Sequence, residues 1–293
     1  IMLSSDTILG IFLISQLCIG VIGNSPLFIL YLYGYFFKPH LVKLIDSIFM
    51  HLTIVNMPLI IFTLIPDIMA SFGVPNFLDD IGCKAVLFVA RFLQGLSICT
   101  TCVVSTCQVI TIIPILCSWL INLLIYANMI DLLIAKANSS HVGNGYLHAY
   151  CQNKNIGDPN SWIFMSVIFI HDLFFVAIMT WTSLYKVTFL YRHHKRDQHL
   201  HSLSLSSQPS PESKATHHIL FLVSCFVFIY WLNNSIILYG FYALTKILRL
   251  ERINAILPTC YSTVCPFLIM RNNKIILQFT YSFSVLRMTS VIE

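Results

Sequence analysis

Long apolar runs without a charged residue recur along this chain. Residues 7–37, 47–66, 215–245 and 253–270 contain no Asp, Glu, Lys or Arg. A helix that crosses about 30 Å of membrane hydrocarbon needs about 20 apolar residues, so each run has roughly the length of a transmembrane helix. The pattern predicts four membrane spans from these runs alone.

Two further stretches add three spans. Residues 162–190 are apolar apart from Asp172 and Lys186, and the lysine lies near the end, where its long side chain can reach the membrane interface. Residues 92–130 carry no charge, and one helix of that length would extend about 58 Å. Because Pro114 lies near the middle of this stretch and would break a helix, the stretch predicts two spans.

We therefore expect an all-α membrane protein in which residues 1–293 form one domain, a seven-transmembrane-helix bundle. Composition agrees, because 57% of the residues are hydrophobic and 10% are charged, whereas about a quarter of the residues of a soluble protein are charged. We expect the first span to be a retained anchor, since its apolar run is too long for a signal peptide and follows no basic leader. The predicted helices are residues 8–35, 45–70, 85–112, 115–134, 162–190, 215–243 and 253–270.

The distribution of Lys and Arg predicts the orientation of the bundle. The 1–2 and 5–6 connections and the C-terminal tail carry more Lys and Arg than the opposite connections, and the N-terminal segment carries none. Because basic residues favour the cytoplasmic side, the N-terminus is expected outside. Asn138, in the motif Asn-Ser-Ser of the 4–5 connection, is a glycosylation acceptor on that same external side.

Two of the ten cysteines differ from the rest. Most lie within predicted spans, where cysteine is a small apolar packing residue. Cys83, just before the third helix, and Cys151, in the 4–5 connection, lie on the external side, where a disulfide persists. We expect them to pair and to tie the long connection over the outer mouth of the bundle.

Two charges inside apolar spans are the candidate ligand-cavity residues. Arg91 lies about 10 Å along the third helix beyond Lys84, and Asp172 lies about 15 Å into the fifth. A charge at such depth needs a partner or a water-filled cavity. Our hypothesis is that both face the outer half of the bundle and either pair with each other or bind polar groups of a ligand.

The sequence offers little support for catalysis. It contains no nucleophile and base pair, no phosphate loop and no metal-ligand motif, so we expect no catalytic residue, no metal, no cofactor and no nucleic-acid partner. His193, His194, His199 and His201 lie in the polar 5–6 connection without a cysteine at matching spacing. We interpret them as part of a solvated extension of helices 5 and 6.

Several short runs form a characteristic set. They are Phe72-Gly73, residues 76–80, Gly82-Cys83-Lys84, residues 95–102, 190–194, 199–206, 210–216 and 228–233, Cys260-Tyr261 and Cys265-Pro266-Phe267. The chain resembles the type 1 vomeronasal receptor family through these runs, over nearly its whole length. The resemblance implies a G-protein-coupled receptor in the lipid of the plasma membrane. It also implies a small pheromone-like ligand and a heterotrimeric G protein of the inhibitory class.

One departure from the family leaves more than one interpretation open. Family members have a longer basic cytoplasmic loop between helices 3 and 4, whereas here residues 110–114 run directly into Trp119. This shortening allows a second interpretation, a non-signalling product of a pseudogene or of wrong splicing. A bitter-taste-like receptor and a small membrane transporter are the third and fourth interpretations.

Overall fold

The computed structural model describes residues 5–41, 44–74, 77–106, 112–127, 133–135, 151–153, 159–200, 211–242 and 248–270. This part of the chain forms seven α-helices, which confirms the all-α prediction. They are α1 Ser5–Phe37, α2 Leu44–Ser71, α3 Asp80–Thr106, α4 Ile112–Ala127, α5 Pro159–Leu200, α6 Pro211–Tyr242 and α7 Leu248–Met270. A 3-10 turn at Pro39–Leu41 follows α1.

Hydropathy and length separate the helices into two groups. Within the described residues, α1, α2, α3 and α5 are each long and apolar enough to cross a membrane. The apolar segments of α4, α6 and α7 are shorter, at Ile113–Ala127, Leu220–Ile236 and Ile256–Met270. Large apolar side chains such as Ile22, Leu124 and Trp181 are exposed on the bundle surface, where lipid can cover them.

The helices close into a ring. Each of α1, α2, α3, α5 and α6 contacts the next in this order, α7 contacts α6, α1 and α2, and α4 packs on α3. The largest apolar cluster lies inside this ring and includes Leu52, Ile98, Met179, Phe226 and Tyr261. We call the end at which α1, α3 and α5 begin the outer end of the bundle.

Hydrogen bonds between polar side chains join the helices inside the bundle. Asn56 Oδ1 of α2 accepts hydrogen bonds from Ser97 of α3 at 3.0 Å and from Ser262 of α7 at 3.1 Å. Asn24 Nδ2 of α1 donates to the carbonyl of Ser262 at 3.1 Å. Such bonds are typical of membrane helices, whose association cannot rely on hydrophobic burial.

Two caps fix the connection from α2 to α3. Gly73 has a φ of 74°, and the amides of Gly73 and Val74 donate to the carbonyls of Ala70 and Met69, which is a Schellman ending. Asp79 is the N-cap of α3, since its Oδ1 accepts a 2.7 Å hydrogen bond from the amide of Gly82. The caps therefore set the position of the following residue, Cys83.

A close helix contact fixes the direction of α4. Asn122 Nδ2 donates to Cys99 Sγ at 3.5 Å. One turn towards the outer end, a Cβ on Gly95 would collide with the Asn122 side chain and lie 2.9 Å from Tyr126 Cε2. Residues earlier in α3 thus face residues later in α4, so the two helices are antiparallel. The chain reverses its direction between Thr106 and Ile112 despite the shortened connection.

Some helix ends differ from the predicted ones. Helix α4 ends at Ala127, whereas the prediction placed its end at 134, and Leu133–Ala135 forms strand β1, antiparallel to strand β2 at Cys151–Asn153. Asn128 and Asp131 interrupt the apolar run after Ala127, and both are weak helix formers.

Helix α5 is longer than predicted. It starts at Pro159, a residue favoured in the first turn of a helix, and continues to Leu200 rather than 190. At about 63 Å it is about twice as long as the hydrocarbon is thick. Its last ten residues include Arg192 and Lys195, so polar residues extend the helix beyond the apolar span.

Candidate functional site

Buried and partly buried polar side chains from four helices lie in the outer half of the bundle. Arg91, at the centre of the set, lies eleven residues beyond the first residue of α3, about 16 Å from the outer end. We call this set the outer polar cluster. Its members are Arg91 and Gln94 of α3, Tyr126 of α4, His171 and Asp172 of α5, and Tyr230 of α6.

Arg91 and Gln94 lie one turn apart on α3 and are in contact. The Arg91 guanidinium donates from Nη1 to Gln94 Oε1 at 3.1 Å. This bond orients the Gln94 amide, and its Nε2 is buried and has no hydrogen-bond partner among the described residues. The Gln94 side chain lies beside the Tyr230 hydroxyl of α6, so its amide faces the interior of the bundle.

His171 and Asp172 form a second contact on α5. His171 Nδ1 lies 3.1 Å from Asp172 Oδ1, and both side chains are less than a tenth exposed. The nitrogen that faces a carboxylate must carry the proton, so Nδ1 is the donor. The ring packs edge-on against Phe175, and Cys99 of α3 lies beside it, although Nε2 makes no hydrogen bond of good geometry in the described part of the chain.

Two buried tyrosines lie within electrostatic range of both the arginine and the aspartate. Tyr126 and Tyr230 are 1% and 5% exposed, and each interacts electrostatically with both Arg91 and Asp172. The structure thus brings the two predicted ligand-cavity residues into one neighbourhood. The Tyr230 hydroxyl has no hydrogen-bond partner among the described residues, and its ring stacks on Phe226.

Four members of the cluster, Gln94, Tyr126, His171 and Tyr230, were not predicted from the sequence. Neutral polar and aromatic residues are common in membrane helices, so their type alone does not mark a site. One pattern was available, because Gln94 is three residues beyond Arg91 and therefore on the same face of α3. The neighbours His171 and Asp172 in an apolar run were a second indication.

Cys83 lies at the outer end of α3. It is fully buried and disulfide-bonded. Cys151 begins strand β2, which pairs with β1, and β1 contacts α3. This placement favours the predicted partner, but the Cys151 side chain and Asn138 lie outside the described residues, so the pairing and the glycosylation remain predictions.

Metal ligands are not grouped in the described part of the chain. No set of three or more His, Cys, Asp or Glu side chains that could hold a metal ion occurs there. The side chains of His193, His194, His199 and His201 lie outside the described residues. The cluster that the structure does describe is suited to hydrogen bonding and charge pairing with an organic molecule.

Comparison with known proteins covers all seven helices. The model of the vomeronasal organ pheromone receptor family matches residues 7–120 and 113–282. Vomeronasal type-1 receptor 3 of Homo sapiens is 30% identical over 291 residues, 92% of each chain. Vomeronasal type-1 receptor 96 of Rattus norvegicus is 29% identical, over 96% of this chain and 93% of its own. The two matched segments overlap at residues 113–120, in the first half of α4 and next to the shortened connection.

Proposed function

The chain belongs to the vomeronasal organ pheromone receptor family, and we propose that it detects a small pheromone-like molecule at the plasma membrane and signals through an inhibitory-class heterotrimeric G protein. As a member of this family it is a multi-pass membrane receptor and not an enzyme. The observation that carries the proposal is the outer polar cluster, which gathers buried polar groups from α3, α4, α5 and α6.

The unpartnered groups of the cluster indicate the chemistry of the ligand. Gln94 Nε2 and the Tyr230 hydroxyl make no hydrogen bond of good geometry among the described residues, although the two side chains lie beside each other, and the Arg91 cation contacts Gln94. A buried polar group left unpaired costs about 1–3 kcal/mol. A ligand with a hydrogen-bond acceptor, such as a carboxylate or a carbonyl, on an apolar body removes this cost.

Binding at this cluster links helices that move relative to one another. A ligand that accepts hydrogen bonds from Gln94 and Tyr230 holds α3 to α6. It shifts the bundle only if it binds one helix arrangement better than the other. Further towards the cytoplasm, α3 is joined to α5 by Ser105 and Thr182 at 2.7 Å. The movement of α6 against this pair then opens a surface for the G protein.

Nucleotide release tests this function. The purified receptor in lipid nanodiscs is mixed with inhibitory-class, stimulatory or Gq-class heterotrimers, and octanoate, methyl octanoate and octane serve as probes. We expect octanoate to speed GDP release from the inhibitory-class protein alone, and octane to have no effect. Binding of octanoate without release from any heterotrimer would favour a non-signalling product, and a folded receptor that neither binds nor responds would contradict the proposal.

Glycosylation tests the proposed orientation. Asn138 belongs to the connection that follows α4, which lies outside the cell if the N-terminus does. We expect the chain expressed in mammalian cells to lose mass on digestion with peptide N-glycosidase, and Asn138→Gln to abolish the change. A well-expressed chain without this change would show that the α4–α5 connection does not reach the lumen.

A further inference from the structure

Asp67 is a buried carboxyl group in the outer half of α2. Its side chain is 6% exposed, and Oδ2 has no hydrogen-bond partner among the described residues. An unpaired charge inside a membrane bundle is costly, and such residues usually serve a function. A protonated Asp67 would meet the same difficulty, because its hydroxyl would lack an acceptor. In either state the carboxyl group requires a partner.

Thr63 lies one turn from Asp67 on the same face of α2. Residues four apart on a helix have Cβ atoms about 5–6 Å apart. Thr63 is also 6% exposed, and its hydroxyl has no partner in the described part of the chain. Two oxygen atoms that need partners therefore lie close together on α2.

Gln16 of α1 supplies a third oxygen. Its Nε2 donates to the carbonyl of Ile256 at 3.2 Å and to the hydroxyl of Thr259 at 2.9 Å, both on α7. Thr259 itself donates to the Ile256 carbonyl, so both α7 oxygens act as acceptors and fix the orientation of the amide. The Gln16 carbonyl oxygen is then buried without a hydrogen-bond partner among the described residues.

The helix contacts place the three residues at a similar depth. Gly20 of α1 packs against Ile60, and Gly10 packs against Ser71 and Phe72, so α1 and α2 run antiparallel. Interpolation between these contacts places Gln16 level with the turn between Thr63 and Asp67. Leu13, Leu64 and Ile256 pack together beside it, which shows that α1, α2 and α7 meet at this level.

We propose that Gln16, Thr63 and Asp67 form a subsite for a primary ammonium group. A primary ammonium has a positive charge and three N–H donors, which matches one carboxylate and two neutral oxygens. The outer polar cluster differs, because it contains the Arg91 guanidinium next to the amide of Gln94. The subsite goes beyond the proposed function, since it requires neither a G protein nor a ligand at the cluster.

Thermal unfolding of the purified receptor tests the subsite. Cyclohexylamine hydrochloride is compared with cyclohexanol and with sodium chloride at constant ionic strength, set with N-methylglucamine chloride. At about five times its Kd, the amine should raise the Tm of the wild type by about 2–4 °C, and the other probes should not. Asp67→Asn should abolish this shift, whereas Asp6→Asn, which removes an exposed carboxyl at the same end, should retain it.

Four outcomes would overturn the proposal. An equal shift in Asp67→Asn would place the amine elsewhere, and an equal shift with cyclohexanol would show an apolar effect. An ammonium subsite would be excluded if sodium raised the Tm of the wild type as much as cyclohexylamine does, or if no probe raised it. If Asp67→Asn does not fold, Thr63→Val decides by the same criterion, because it removes one oxygen at nearly constant shape.

Discussion

Cys83→Ser is expected to reduce the receptor at the cell surface to near background. Cys83 is fully buried and disulfide-bonded, and the loss of a native disulfide costs about 2–5 kcal/mol. That is a large part of the free energy of unfolding of an ordinary domain. Flow cytometry with an N-terminal tag measures surface receptor, and an immunoblot of whole cells measures total receptor.

The double variant Cys83→Ser/Cys151→Ser tests whether Cys151 is the disulfide partner of Cys83. If the two cysteines pair, each single change already removes the whole bond, and the double variant is no worse than either single variant. Cys117→Ser is the control, because Cys117 is a free cysteine and its loss breaks no bridge. Additive losses from the two single changes would show that Cys83 pairs elsewhere.

Asp172→Ala is also expected to cause a large loss of receptor from the cell surface. Asp172 is 5% exposed and accepts a hydrogen bond from His171, and it interacts with the tyrosines that also interact with Arg91. Removal of one member of a buried charge pair costs about 3–5 kcal/mol, because the remaining charge is uncompensated. Surface expression should fall strongly, and any remaining receptor should not respond to octanoate.

Further variants separate the effect of losing the charge of Asp172 from the effect of losing its hydrogen bond. Asp172→Asn retains an acceptor for His171 and should be expressed better than Asp172→Ala. Arg91→Ala should reduce the octanoate response more than it reduces expression, because Asp172 keeps its hydrogen bond with His171. The double variant Arg91→Ala/Asp172→Ala should be less impaired than the sum of the single changes. If both single alanine variants were expressed and responded normally, the cluster could not be the ligand site.

Hydropathy predicted the first two helices to within a few residues. The predicted 8–35 and 45–70 correspond to Ser5–Phe37 and Leu44–Ser71, because backbone groups in lipid must be paired within a helix, which requires a long apolar run. The pairing of β1 with β2 was not predictable. A three-residue strand has almost no pattern of its own and depends on a partner more than a dozen residues away.

The site was predictable only where a charge interrupts an apolar span. Arg91 and Asp172 stood out for this reason, while the neutral members of the cluster did not. Asp67 lies inside both the predicted helix 45–70 and the observed α2, but at the boundary of the charge-free run 47–66 it does not stand out as a charge within a span. Its burial depends on the packing of neighbouring helices, which no single segment reveals.

Gly95 limits how this receptor can vary. Every single-nucleotide change of a glycine codon that leaves a sense codon for another amino acid adds at least a Cβ, and at this position a Cβ collides with Asn122. Missense variants at codon 95 are therefore expected among inactive alleles. If the outer polar cluster binds the ligand, we expect a substitution at Gln94 to change ligand preference, and one at the adjacent Gly95 to impair the packing of α3 on α4.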